Sequence, residues 1–248
     1  MKTKERHHLK ENELAHTLAS AREFVESRGK QVGGAIGIVV LIVAVVAGVL
    51  VFRNRADTRG EEQLAEALVA LNAQVVPASA AAGELPAAAQ IGATGSFQTE
   101  EAKLAVALPK LKMAADAFPD TSAGIQARYH YAATLAALGR HADAVKEFDD
   151  VTRRAGADTL YGRMASLGKA DTQSKAGQID GAIASWKALA DKKDPNLPED
   201  AILMELGKAY QTKGSREDAR KTFTQLVDQF PTSPYAAEAR AELDTLKG

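Results

Sequence analysis

Residues 203–231 read LMELGKAYQTKGSREDARKTFTQLVDQFP, and this stretch decides the fold. Leu203, Leu206, Gly207 and Tyr210 fall at i, i+3, i+4 and i+7, the spacing of one helix face. Gly214 suits the left-handed turn that ends a helix. Beyond it Ala219 and Phe223 resume helical spacing, until Pro231, with no N–H to donate, stops the second helix. Small residues at Gly207 and Ala219 let two helices approach closely, and Tyr210 and Phe223 fill the gaps between them. The stretch predicts a helix hairpin.

Two further copies lie upstream. One carries Tyr131, Ala132, Leu135, Gly139, Ala144, Phe148 and Val151; the other carries Ala170, Gly177, Ala182, Trp186 and Leu189. The order of residues fits the tetratricopeptide (TPR) pattern W-x2-L-G-x2-Y … A-x3-F … P, with Leu203 in place of the tryptophan. In the middle copy Lys169 and Gln173 stand where apolar residues are usual. A half-repeat comes first, in which Ala107, Leu111, Phe118 and Pro119 match Ala219, Phe223, Phe230 and Pro231. The segment from Thr121 to Arg128 mirrors that from Thr232 to Arg240, each opening a helix with a Ser/Thr cap after Phe-Pro. A last helix from Pro234 to Leu246 is expected to cap the stack. Pro109 is expected to kink its helix.

Working outward, Val32 to Phe52 reads VGGAIGIVVLIVAVVAGVLVF, without a charge. As a helix this run spans roughly 31 Å, matching a hydrocarbon core of about 30 Å. It is expected to be a retained transmembrane anchor. The run exceeds a signal-peptide core, the tail before it carries five acids, and no small-residue cleavage site follows Phe52. Lys and Arg near the anchor are balanced, but Lys2, Lys4, Arg6 and Lys10 add to the N-terminal side, favouring N-inside, C-outside. Gly33, Gly37, Ala44 and Gly48 form roughly one stripe. It reads either as a packing face, for self-association or another membrane protein, or as the ordinary glycine content of membrane helices.

Before the anchor, residues 9–28 read as an amphipathic helix with Leu14, Leu18, Ala21 and Val25 on one face. After it, Leu64, Leu68 and Leu71 extend a helix towards Pro77, and an Ala/Pro/Gly-rich loop with no period follows. The expected organisation is a tail at 1–31, the anchor at 32–52, a membrane-proximal helix at 53–76, a loop at 77–98 and an all-α, TPR-like solenoid at 99–248.

The chemistry classes thin out quickly. A net charge of −1 does not suggest a nucleic-acid partner, and the absence of cysteine excludes disulfides and thiolate metal sites. No phosphate loop, HExxH or nucleophile elbow occurs, and His7-His8 are adjacent and cannot share a helix face. Neither an enzyme, a metal nor a cofactor is expected. A TPR stack docks proteins on the face made by its first helices. Placing each copy's first position 14 residues before its turn glycine puts Gln126, Tyr129, Leu167, Asp171, Lys175, Met204, Lys208 and Gln211 on that face. Tyr129, Ala133, Leu167 and Asp171 replace the Lys/Asn pairs of TPRs that grip acidic C-terminal tails, whereas apolar or extended polypeptide would fit.

The order of amphipathic tail (AREFVESRGKQVG), single anchor, alanine-rich helix and degenerate repeats resembles the ancillary SecYEG translocon subunit family. That resemblance implies a non-enzymatic inner-membrane protein with a cytoplasmic N-terminus and periplasmic repeats. Its implied partners are the SecYEG translocon, periplasmic chaperones and nascent secretory chains. The ending Phe230-Pro231 to Ala239 also looks like the TPR domain of the Tol–Pal cell-division coordinator, which leaves an envelope-assembly or division adaptor as an alternative. An inverted anchor would instead make a cytoplasmic-facing regulatory scaffold.

Overall fold

In the computed structural model, residues 29–76 and 96–247 are described, with side chains described for 41–51, 55–76 and 96–247. The tail at 1–28 and most of the 77–98 loop lie outside them. Nine helices are seen among the described residues: α1 (Gly29–Leu71), α2 (Glu100–Ala117), α3 (Ser122–Ala137), α4 (His141–Ala155), α5 (Leu160–Lys175), α6 (Ile179–Lys192), α7 (Glu199–Lys213), α8 (Arg216–Gln229) and α9 (Ala236–Thr245). The chain divides after Arg55 into two compact units, and the second carries the solenoid.

Three hairpins, α3/α4, α5/α6 and α7/α8, share one turn. Gly139, Gly177 and Gly214 have φ of 73°, 70° and 81°, where a side chain would clash with the backbone. Around Gly139 the Arg140 N–H donates to the Leu135 carbonyl at 2.8 Å and the Gly139 N–H to the Ala136 carbonyl at 3.0 Å. Matching pairs surround Gly177 and Gly214, so each first helix ends in a Schellman motif.

The packing follows the repeat. Ala132, Ala170 and Gly207 are buried on the first helices; Ala144, Ala182 and Ala219 are buried on the second ones. Phe148, Trp186 and Phe223 then fill the space between, with Val151, Leu189 and Leu226 one turn further on. At Gly207 the helices come so close that an added Cβ would sit 2.3 Å from the Phe223 ring. The polar residues of the middle copy are satisfied rather than disruptive. Gln173 accepts a bond from the Ser185 hydroxyl at 2.7 Å, the Trp186 indole donates to Ser174 Oγ at 3.1 Å, and Lys169 pairs with Asp149 at 2.7 Å.

A fourth hairpin precedes these three. The end of α1 packs on α2 through Leu64, Ala67, Ala107, Leu111 and Ala114, all buried. Lys110 pairs with Glu66 across it at 2.6 Å. The helix stops at Leu71, ahead of Pro77. The long connection is closed at its base by an isolated bridge, in which the Val76 N–H donates to Phe97 and the Phe97 N–H to Gln74, each at 2.8 Å. Thr99 then caps α2 by accepting from the Ala102 N–H, with Glu100 and Glu101 in the first turn facing its positive dipole end. Pro109 sits inside α2 on its exposed side, so its missing N–H leaves only a surface carbonyl without a helical partner.

Of the expected span 32–52, residues 41–51 are described in full. That stretch is too short to cross a membrane by itself, and among the described residues no helix is long and apolar enough to do so. The large aliphatic side chains from Leu41 to Val51 are all exposed. Of the small-residue stripe, Gly33 and Gly37 belong to α1 but lie outside the side chains described, Ala44 is exposed, and Gly48 has open space around it.

Candidate protein-docking face

The first helices α3, α5 and α7 place the eight expected docking residues, and the structure divides them into two groups. On α3, Gln126 is half-buried and Tyr129 anchors an aromatic cluster, its ring centroid 5.9 Å from Phe148, 5.6 Å from Tyr161 and 5.4 Å from His130. Burial raises the Tyr129 and Tyr161 phenols above the ordinary tyrosine range and lowers His130, so all three are neutral at pH 7. On α5, Leu167 is half-buried against the middle core, and Asp171 and Lys175 pair with each other at 2.8 Å. Leu160, 64% exposed, stands beside Tyr161 at the start of the same helix.

The second group is on α7 and is already engaged. Met204 is 0% exposed and belongs to the core with Leu203, Phe223, Leu226, Ala236 and Ala239, so it is not a surface residue. The reason is α9, which packs on the side of α7 that the repeat phase marks as open. Lys208 pairs with Glu238 of α9 at 3.0 Å, and the Gln211 amide donates to Glu242 at 2.7 Å. Burial alone would lower Lys208; the pairs with Glu238 and Glu205 outweigh it and hold the ammonium above its ordinary range. The uncovered part of the face is therefore Gln126, Tyr129, Leu167, Asp171 and Lys175.

One cluster escaped sequence reading altogether. Arg128 is 8% exposed, its guanidinium donates to Asp116 of α2 at 2.8 Å and Glu147 of α4 at 2.6 Å, and its Nε lies 3.0 Å from the Asp150 carboxylate of α4 as an ion pair. Burial pushes Asp116 up, but bonds from Lys112 and Arg128 hold it below the usual carboxylate range. The network ties α2, α3 and α4 together. A basic residue among alanines in the middle of α3 was the available signal. Among the described residues no group of three His, Asp or Glu is placed to hold a metal.

This is a TPR-like helical-repeat solenoid. The tetratricopeptide-repeat family model matches residues 201–233, nearly all of the hairpin α7/α8 and the turn after it. Among solved structures, a kinesin light chain from Podosopora anserina with nearly identical TPR-like repeats is 17% identical. The match covers 59% of this chain and 79% of that one, with a TM-score of 0.50. MamA from Desulfovibrio magneticus RS-1 is 22% identical over 58% of this chain and 86% of its own, with a TM-score of 0.43. No curated protein matches the sequence. The repeat family implies a protein-interaction scaffold, a class that is generally non-catalytic.

Proposed function

We propose that this chain is a membrane-anchored docking scaffold at the outer face of an inner membrane, with a cytoplasmic N-terminus and periplasmic repeats. Within that role we favour association with the SecYEG translocon and handover of nascent secretory chains to periplasmic chaperones. The observation that carries the anchor is the uncharged run from Val32 to Phe52, which belongs to the same helix, Gly29–Leu71, whose end forms the first hairpin. The exposed aliphatic side chains from Leu41 to Val51 support it, since a run of this kind in water would be a liability. Tyr129, Leu167 and Leu160 support a face for apolar polypeptide.

The chain lacks cysteine, so topology can be read from single cysteines placed at Ser96 and, separately, at Ser20. A membrane-impermeant maleimide on intact cells is expected to label the first alone; labelling of Ser20→Cys alone would turn the repeats inward and overturn the proposal. Mild crosslinking and purification should then recover Sec subunits and secretory chains. Recovery of envelope-assembly or division components instead would favour the adaptor reading.

A further inference from the structure

A cleft of about 260 Å³ opens between α4, α5 and α6, and none of the eight docking residues lines it. Its cations come from two helices: Arg163 and Lys169 from α5, Lys192 from α6. Leu189 and Leu197 supply an apolar wall, and Asp149 of α4 stands on the lining. At this volume the cleft falls below the ~300 Å³ lower end of small-molecule pockets. It has room for one terminal residue rather than a nucleotide.

The three cations are held in different ways. Arg163 gives only its Nε to Asp194, at 2.6 Å. Asp194 is nearly buried, and its other oxygen accepts both the backbone N–H and the side-chain amide of Asn196 at 3.0 Å. Arg163 first, then Asn196, hold that carboxyl down at about 2, so it stays ionised and keeps the guanidinium extended. The Nη1/Nη2 edge of Arg163 has no partner among the described residues, and it is the edge that takes both oxygens of a carboxylate. Lys169 instead pairs with Asp149, which is 55% exposed, whereas Lys192 pairs with Asp158, donates to the Ala157 carbonyl at 3.3 Å and lies 3.8 Å from Asp194. A solvated pair holds a lysine weakly, so the Lys169 ammonium is free to swing onto an incoming anion, while Lys192 stands fixed at the rim.

We propose that this cleft binds the C-terminal carboxylate of a polypeptide ligand, both oxygens on Arg163, flanked by Lys169 and Lys192, with a short aliphatic side chain against Leu189 and Leu197. The site is separate from the face formed by the first helices. It depends on neither the membrane topology nor the partners proposed above, and stands or falls without them.

The test uses the full chain in detergent and N-acetyl-glycyl-leucine as probe, titrated by saturation-transfer NMR. Saturable binding is expected, weakened about ten-fold or more when the probe's carboxylate is replaced by its amide, because the charge-assisted bonds are lost. Lys169→Gln leaves the Arg163–Asp194 pair and the contacts of Lys192 intact, and is expected to fold normally and weaken binding about three-fold or more. Lys175→Gln, on the same helix outside the cleft, is expected to bind like the unaltered chain. Equal binding of acid and amide, no loss in Lys169→Gln, or no binding at all would each overturn the assignment. Equally tight binding of N-acetyl-glutamate α-amide, or displacement by inorganic phosphate at the same concentration, would overturn the terminal carboxylate as the preferred ligand.

Discussion

The hairpins α1/α2 and α7/α8 bury the same kind of surface and differ in how their helices are joined. In α7/α8 the turn at Gly214 is a single Schellman motif; in α1/α2 the join runs from Asn72 to Thr99 and is closed by the Val75–Phe97 bridge. Yet Ala107, Leu111 and Ala114 occupy the places of Ala219, Phe223 and Leu226, and all six are buried. The facing residues define a repeat, and the turn only sets how cheaply its two helices find each other. A long connection adds little, because closure entropy grows with the logarithm of loop length.

The comparison can be broken most sharply in the two cores. Phe223→Ala should cost about 3–5 kcal/mol, and Leu111→Ala about 2–5 kcal/mol, as large-to-small changes at fully buried sites. Both should appear as lower midpoints of one denaturant transition; a Leu111→Ala midpoint equal to that of the unaltered chain would show that the first hairpin is no part of the folding unit. Arg128→Met removes the cation that, among the described residues, alone reaches all of Asp116, Glu147 and Asp150. Its cost should stay below the ~3–5 kcal/mol of a severed buried pair, since Asp116 and Glu147 reach solvent. A double-mutant cycle with Asp150→Asn should recover a coupling between the two.

Smaller effects sharpen the contrast between the turns. Gly207→Ala drives a methyl into the Phe223 ring and should cost about 1–3 kcal/mol by overpacking. Shortening the first connection by removing residues 79–94 should change stability by less than about 1 kcal/mol, read by thermal unfolding. A larger loss would mean that the inserted segment itself contributes to the fold. The smallest effect concerns acid. Asp194 has its carboxyl lowered from 3.8 to about 2, so its contribution is complete above about pH 4 and is lost as pH falls through 2. Asp194→Asn should therefore lower Tm near neutral pH, with the difference shrinking as the pH approaches 2.

Much of the solenoid was legible because its signals are local. A turn glycine, a small residue and an aromatic at fixed spacing each state their own requirement, and 203–231 carries all of them. The first hairpin was half-hidden because the turn glycine that marks the other repeats is replaced there by the insertion. Leu64, Ala67, Leu68 and Leu71 nevertheless repeat the spacing of Leu203, Leu206, Gly207 and Tyr210, and that was the available clue. Met204 was misassigned for a different reason: repeat phase tells which side of a helix a residue is on, and not what lies over it. The Arg163 cleft was illegible because its ion pairs join residues some twenty to thirty-five positions apart, such as Lys169 with Asp149 and Lys192 with Asp158.

The joints between repeats are not alike. Entering α3, Thr121 donates to the Phe118 carbonyl at 2.9 Å and accepts from the Gly124 N–H, while that same carbonyl sits 1.7 Å from where a Cβ on Gly124 would be. Entering α5, Thr159, the Gly156 carbonyl and Gly162 repeat the arrangement, with 2.0 Å for the Cβ. These two joints are welded by steric fit and uncharged hydrogen bonds, with the solvent-exposed pairs Asp120–Arg154 and Asp158–Lys192 beside them. The third, from Lys193 to Pro198, has no side-chain cap on α7 and hangs on Asp194 gripping Arg163. A load along the stack would be borne rigidly at the first two joints. At the third it would meet a latch made of charge whose acid, Asp194, is nearly buried, so that strong acid would loosen it.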